Sequence, residues 1–309
     1  MRILITGVHG FVGSNLVAYL AKENDIYGLD IVAPEKDGVL QTYSWDDLDA
    51  EQVPEVDAII HLAGKAHDTK NKTLSDVYFK VNRDLTIKMF DYFLAHPSIK
   101  KFVFFSTAKA AADKVDGVLT EDVVPAPVGP YGESKIAAEK YILEHLPETK
   151  DVYIFRPCMI HGPGNKGNLN LLYNVVRKGI PWPLGAFDNR RTFTSIENIC
   201  FAVDGVLTKN VPTGIYNMGD DEALSTNELI EEICKSLGKK AHIWKLSMGF
   251  MNGVAKIGGW LHLPLNPERL RKLTESYVSS NTKIKKALGV EKMPVDARKG
   301  LKVTLESFK

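Results

Sequence analysis

Hydrophobic positions along the 309-residue chain follow two alternating patterns. Short apolar runs of strand type fall at 2–5, 26–29, 57–64, 102–107, 152–155 and 214–218. Between them the apolar residues move to helical spacing, as in Phe11, Leu16, Val17 and Leu20, across 74–94, and in Ile136, Ala137, Ala138, Tyr141 and Ile142. Strand–helix alternation of this kind predicts an α/β fold with a doubly wound parallel sheet. The run at 102–107 is almost purely apolar, as a strand covered on both faces must be. After His161-Gly162-Pro163-Gly164 the alternation weakens. Residues 167–183 read as a helix and a proline-bounded loop, and Ser195 reads as the cap of a helix through Leu207. Ser225-Thr226-Asn227-Glu228 is a capping box opening a helix that Gly238 ends. The apolar stretch 248–263 carries Lys256 and several glycines and is too short to span a bilayer, so it reads as a helix buried in a small lobe. The tail reads as short helices, with Ser279 or Asn281 capping 283–288.

Charge and cysteine content narrow the class. Lys and Arg number 39 against 38 Asp and Glu, so nothing points to a nucleic-acid or membrane surface. The length suits one large domain or two intimately joined ones. A first strand starting at Arg2 leaves no room for a signal peptide, and Cys158, Cys200 and Cys234 are scattered without metal spacing. A reduced cytoplasmic setting is expected.

Chemistry concentrates at the ends of the apolar runs. Gly7, Gly10 and Gly13 form a GxxGxxG turn between the first strand and helix. Such a turn lets backbone N–H groups approach a pyrophosphate at the positive end of a helix. Asp30 ends the second run, where an acid meets the adenosine ribose hydroxyls. The run 57–64 stops in small residues, so a ligand can lie against its carboxyl end. Asp46-Asp47-Leu48 either places a carboxylate near an adenine amino group or is a solvated acidic turn. Ser106-Thr107 ends another run with hydroxyls, which present a catalytic group or merely cap. Tyr131 and Lys135 are an i, i+4 pair, and an ammonium beside a phenol would lower the tyrosine pKa and suit it to proton transfer.

Taken together, TGVHGFVG, Asp30, HLAG, the Asn82 segment, FFST, YGESK, FRPxxxHGPG, NRRTFTSIEN and NTKIKKALG resemble the extended short-chain dehydrogenase/reductase family, in its nucleotide-sugar epimerase/dehydratase branch. The resemblance implies a Rossmann domain over 1–157. Residues 158–309 would be mainly a smaller α/β substrate lobe, with about 192–218 returning to the Rossmann core. It implies NAD rather than NADP, a nucleotide-sugar substrate and a homodimer, with no nucleic acid and no membrane insertion. By the same resemblance Thr107, Tyr131 and Lys135 are catalytic. The cofactor contacts it implies are Gly7, Gly10, Phe11, Val12, Gly13, Asp30, Asp47, Leu48, Leu62, Ala63, Gly64, Lys65, Asn82 and Pro157, besides Tyr131 and Lys135. Arg191 would pair with the substrate diphosphate, with Asn168 a second contact and Arg269 or Arg271 closing the clamp.

Several positions depart from the family pattern. Ala108 and Lys109 stand where the sugar 4,6-dehydratases carry an Asp-Glu pair, so no relay for removing water is visible. Met159 replaces a usual asparagine and His161 a usual tyrosine. Cys158 reads as a nucleophile or second acid or, in preference, as a small packed residue near the pocket. The small residues at 110–112 would widen the sugar pocket. The implied activity is C4 epimerisation of a UDP-hexose or UDP-N-acetylhexosamine for surface-polysaccharide precursors. The alternatives are a 4-ketosugar reductase and a non-catalytic dinucleotide sensor.

Overall fold

A computed structural model describes residues 1–66, 74–165, 167–261 and 265–309. Seven parallel strands form one sheet in the order Gly214–Met218, Asp151–Pro157, Lys101–Phe105, Ala58–His61, Arg2–Thr6, Asp25–Leu29, Gln41–Tyr43. The order reverses direction between Arg2–Thr6 and Ala58–His61. Ligands of doubly wound sheets bind in the crevice at the carboxyl ends of the strands flanking such a reversal.

Side-chain alternation on these strands builds two cores. Ile3, Ile5, Val103, Tyr153 and Phe155 face the helices Phe11–Leu20 and Ile196–Thr208. Leu4, Ile59, Phe102, Phe104 and Ile154 face Leu85–Ala95 and Pro130–Glu144. Burial on both faces is why these strands read as continuous apolar runs. Gln41–Tyr43 was not legible as a strand, because three edge residues with two polar side chains carry no alternation.

The stretch 74–94 is not one α-helix. Ser75–Phe79 passes through a π-helical turn, Lys80–Asp84, into Leu85–Ala95. At Ser195 the expected cap takes another form. Its side chain receives no cap hydrogen bond, and instead Asp220 accepts from Ser195 N (2.8 Å) and Oγ (2.7 Å). Ser225 and Glu228 form the expected capping box of Thr226–Ser236. Asn281 precedes Thr282–Leu288 without a side-chain cap bond.

A third core gathers Leu169, Tyr173, Phe193, Leu229, Ile233 and Leu301 from the later part of the chain. Met159–His161 pairs with Phe193–Ser195 in a separate two-stranded sheet. The reading of 248–263 as a buried helix needs correction. Met248–Trp260 is helical, but only Met251, Ala255 and Gly258 are buried, and Phe250, Ile257 and Trp260 face solvent. Residues 262–264 lie outside the described ones.

Candidate active site

The crevice is built first from the glycine turn. Gly7 has φ +68°, and a Cβ there would lie 3.1 Å from Ala63 N. A Cβ on Gly13 would lie 2.5 Å from the Gly7 carbonyl oxygen, so the helix packs against the turn only without a side chain. Phe11–Leu20 starts at Gly10 with no side-chain cap and no acid in its first turn. The first-turn N–H groups of Phe11, Val12 and Gly13 therefore stand at an uncapped positive helix end, as a pyrophosphate requires. Asp30 accepts from His9 N (3.0 Å) and Ile31 N (2.7 Å), which fixes its carboxylate beside the turn. These residues fit a dinucleotide.

The turn is also held from later in the chain. Asn15 Nδ2 donates to Phe11 O (2.9 Å) and Pro163 O (3.1 Å), and a Cβ on Gly162 would collide with Ile196 Cγ2, so the chain passes here only without a side chain. Below the crevice runs a buried relay. Thr6 Oγ1 accepts from Leu62 N (3.1 Å) and Ala63 N (3.0 Å), so its proton points to His61 Nδ1 at 2.7 Å. Thr86 donates to Asn82 O (2.7 Å) and so accepts from His61 Nε2 at 3.0 Å. This arrangement needs neutral His61 protonated on Nε2. Burial, helped by the Lys135 charge, depresses its pKa to about 3.

Asn82 is fully buried in the π-turn and holds three pieces together. Its Oδ1 accepts from Lys65 N (2.7 Å), and its Nδ2 donates to Lys65 O (3.1 Å) and Ser134 Oγ (3.0 Å). A Cβ on Gly64 would meet both Asn82 Oδ1 and Lys135 Nζ at 3.1 Å. The Leu62-Ala63-Gly64 strand end is small because the lysine and the asparagine close over it.

Thr107 caps the short helix Ala108–Ala111, and Tyr131 and Lys135 lie one turn apart on Pro130–Glu144. The Thr107 hydroxyl lies beside the Tyr131 phenol, where it favours the phenolate. Lys135 Nζ donates to Phe105 O (2.8 Å) and sits 4.8 Å from the centre of the Phe104 ring. The expectation that Lys135 lowers the tyrosine pKa is not met in this arrangement. Burial pushes the phenol up, opposed by the Thr107 hydroxyl, while burial lowers Lys135 to about 8 against the attraction of Glu139. The ammonium is directed at a carbonyl, and the resting phenol keeps its proton.

Glu139 was not singled out from the sequence. It continues the Tyr131–Lys135 row by one more i, i+4 step, which is the signal that would have found it. It is fully buried, accepts from Ser106 Oγ and pairs with buried Arg156 through Nε (3.0 Å) and Nη2. Ser106 is thus committed to this network, which leaves Thr107 as the hydroxyl beside Tyr131. Pro157 ends the strand that carries Arg156.

Other expected contacts are placed as follows. Asp47 closes a capping box with Ser44, whose N–H and hydroxyl hold its carboxyl below the usual range. Leu48 is buried in the core, with its N–H on Ser44 O (3.2 Å). Arg191 points its guanidinium at Glu275 O (3.0 Å) and Lys272 O, at the carboxyl end of Pro267–Thr274. Arg269 and Arg271 are exposed on that helix, and Asn168 is exposed at the start of Asn168–Arg177. Ala110 is fully buried, and Ala111 and Ala112 pack with Leu119, Cys158 and Tyr277, so these small residues do not open a sugar pocket. Burial pushes the Cys158 thiol up to about 12, which fits packing and not nucleophilic attack. His161 is buried between Thr304 Oγ1 (2.8 Å) and Asp220 Oδ2 (3.6 Å) and acts as a strut.

Comparison with known proteins extends this picture. The chain is 31% identical over 266 residues to a UDP-glucose 4-epimerase of Vibrio cholerae, covering 79% of this chain and 77% of that one. It is 27% identical over 296 residues to an Escherichia coli O157:H7 4-epimerase of N-acetyl-α-D-glucosaminyl-diphospho-ditrans,octacis-undecaprenol, covering 92% and 85%. The crystal structure of a UDP-glucuronic acid 4-epimerase from Bacillus cereus in complex with NAD superposes with a TM-score of 0.76 at 21% identity, covering 100% of this chain and 98% of that one. That last likeness shows the fold. The family model described as "NAD dependent epimerase/dehydratase family" matches residues 3–219, and with the glycine turn, Asp30 and the Thr107–Tyr131–Lys135 group in place, the chain belongs to that family.

Proposed function

We propose that the protein is an NAD-dependent epimerase acting at C4 of a UDP-hexose or UDP-N-acetylhexosamine. The observation that carries this reading is the Thr107–Tyr131 hydroxyl pair above Lys135, at the carboxyl edge of the sheet beside the dinucleotide turn. NAD, when bound, would supply a reversible hydride acceptor for the sugar carbon. Tyr131, once its own proton has passed to solvent, takes the C4 hydroxyl proton as the phenolate and returns it, and Thr107 holds that oxygen in line. Lys135, one helical turn from Tyr131 and held on Phe105 O in this structure, would have to turn from that carbonyl to lie beneath the deprotonated phenol. Asp30 accepts from the ribose hydroxyls and repels a 2′-phosphate, and Lys36, the next cation along the chain, is held on Ser14 Oγ (2.8 Å). A 4,6-dehydratase is disfavoured, because Ala108 is buried and Lys109 Nζ is paired with Asp113 (2.9 Å).

In this reading 1–157 is the cofactor domain and 158–309 mainly the substrate lobe. Arg191, with Asn168 and Arg269 or Arg271, receives the diphosphate, and the enzyme works as a cytoplasmic homodimer. Arg191 would have to turn from the Lys272 and Glu275 carbonyls to do so. One observation favours the second reading, a 4-ketosugar reductase: burial keeps the resting Tyr131 protonated, the form that donates to a reduced ketone.

The deciding experiment supplies UDP-hexoses and UDP-N-acetylhexosamines with NAD but no reductant and follows the C4 configuration by NMR. Interconversion at catalytic enzyme concentration is expected. No interconversion, with stoichiometric NAD(P)H consumption on a 4-keto-6-deoxy sugar nucleotide, gives the reductase.

A further inference from the structure

The helix Met248–Trp260 carries two apolar stripes. Met251, Ala255 and Gly258, at i, i+4 and i+7, face inward, Met251 and Ala255 packing with Leu184 and Leu270. Phe250, Val254, Ile257 and Leu261, at i, i+4, i+7 and i+11, line the other side and are exposed. Phe250 and Ile257 keep 59% of their surface in solvent, and Trp260 beside them keeps 81%. Trp244, 55% exposed, precedes the helix. A row of aromatic and aliphatic side chains held open to water marks a contact surface.

Charge identifies what it contacts. Residues 239–274 contain seven cations, Lys239, Lys240, Lys245, Lys256, Arg269, Arg271 and Lys272, against one carboxylate, Glu268. The whole chain carries only +1, so the rest of it is net acidic and this segment is a basic island. Glu268 is already paired with Lys272 (2.6 Å). Lys256 lies one turn before Trp260, on the flank of the exposed stripe. An apolar stripe with Phe and Trp, with Lys256 on its flank and within a segment rich in Lys and Arg, is the pattern of a helix lying in a bilayer interface.

We propose that this face docks on the surface of an anionic lipid bilayer. Phe250, Ile257 and Trp260 enter the boundary between headgroups and acyl chains, and Lys256 on their flank faces the lipid phosphates within the basic segment. The helix lies on the membrane and does not cross it: it has 13 residues, and no helix among the described residues is long and apolar enough to span. A second copy is the poorer occupant. A two-fold contact sets the patch against itself, bringing each copy's cations together with a single acid per copy to offset them. Docking has a consequence for the crevice. The start of Pro267–Thr274 packs on the helix, where a Cβ on Gly259 would lie 3.1 Å from Pro267 Cδ. The end of Pro267–Thr274 receives the Arg191 guanidinium, which stands one helix away from the docked face.

The test is flotation of the whole protein with vesicles of phosphatidylcholine, alone or with about 30 mol % phosphatidylglycerol. Binding to the anionic vesicles is expected, weakening as salt rises from about 0.1 to about 0.5 M. Lys256→Ala should weaken it about fivefold, and Phe250→Glu with Trp260→Glu should abolish it while circular dichroism and melting stay unchanged. The readout does not depend on turnover, so failure of the epimerase reading leaves it standing. Equal binding to neutral vesicles, no binding at all, or binding untouched by the double substitution overturns the proposal. A wild-type dimer that Trp260→Glu splits in sedimentation, without vesicle binding, assigns the face to a second copy and overturns it too.

Discussion

At Tyr131 and Lys135, burial acts in opposite directions on an acid and a base one helical turn apart. It disfavours both charged forms, raising the phenol and bringing the ammonium down to about 8. The proposed mechanism then requires the phenol's proton to move while Thr107 lies beside its oxygen. Tyr131→Phe keeps the ring against Tyr78 and removes only the carrier, so turnover should fall about 10²–10⁴-fold with the fold unchanged. Thr107→Ala should cost less, and steady-state rates with circular dichroism check both. Near wild-type turnover in Tyr131→Phe would end the assigned role. His61 offers a test that needs no substrate. Its folded pKa of about 3 lies below its ordinary value of 6.5, so the unfolded chain binds the extra proton between the two. The stability this group contributes is complete above pH 6.5 and is lost as pH falls toward 3, at up to about 1.4 kcal/mol per pH unit. Denaturant midpoints across that window should show a shallower acid limb in His61→Gln, and identical limbs would contradict the neutral relay. The YGESK spacing was legible because it depends on helical period alone. The proton balance was not, since it depends on burial and on where Lys135 points in three dimensions.

Elements, more than single residues, set the precision of the crevice. Six of the seven sheet strands and the helices on both faces were readable, because burial on both sides imposes apolar runs that sequence displays directly. The π-turn Lys80–Asp84 was hidden inside an apparently continuous helix, since one extra residue per turn leaves little trace in a 3.6-residue pattern. That turn carries Asn82 to the junction of the Lys65 backbone and Ser134, in reach of two other elements. Asn82→Ala would leave Lys65 N without its acceptor and Lys65 O without a donor. A loss of about 2–3 kcal/mol is expected, with weaker NAD binding as the Gly64 corner loosens. Asn82→Asp restores the acceptor alone and should fall between the two. Chemical denaturation with NAD titration measures both effects, and an Asn82→Ala protein within about 0.5 kcal/mol of wild type would reduce Asn82 to an incidental contact.

Across the whole molecule, the end of the sheet and the C-terminal helix meet on a few buried polar groups that no local pattern announces. Asp220, just past the last sheet strand, accepts from Ser195 N, Ser195 Oγ and Asn198 Nδ2 and faces His161 at 3.6 Å. His161 in turn reaches Thr304 on the C-terminal helix Ala297–Glu306, and Gly300 of that helix lies directly against Ser195. These residues are up to 143 positions apart, as His161 and Thr304 are, so only the folded chain shows that they form one joint. The exposed face of Met248–Trp260 was misread for a related reason. An apolar count does not say whether a partner is present, and the inward stripe of Met251 and Ala255 has one while the outward stripe has none among the described residues. The joint makes a prediction about cooperativity. Asp220→Ala strands three donors in a buried site and unties the start of Ile196–Thr208 from the end of the sheet, at an expected cost of about 3 kcal/mol or more. If the joint couples sheet and lobe, calorimetry should give one lowered transition in the variant, as in the wild type, because each part depends on the other for its buried surface. Two resolved transitions in the wild type, or an unchanged melting temperature in Asp220→Ala, would mean that the parts fold independently and that Asp220 serves only its own helix.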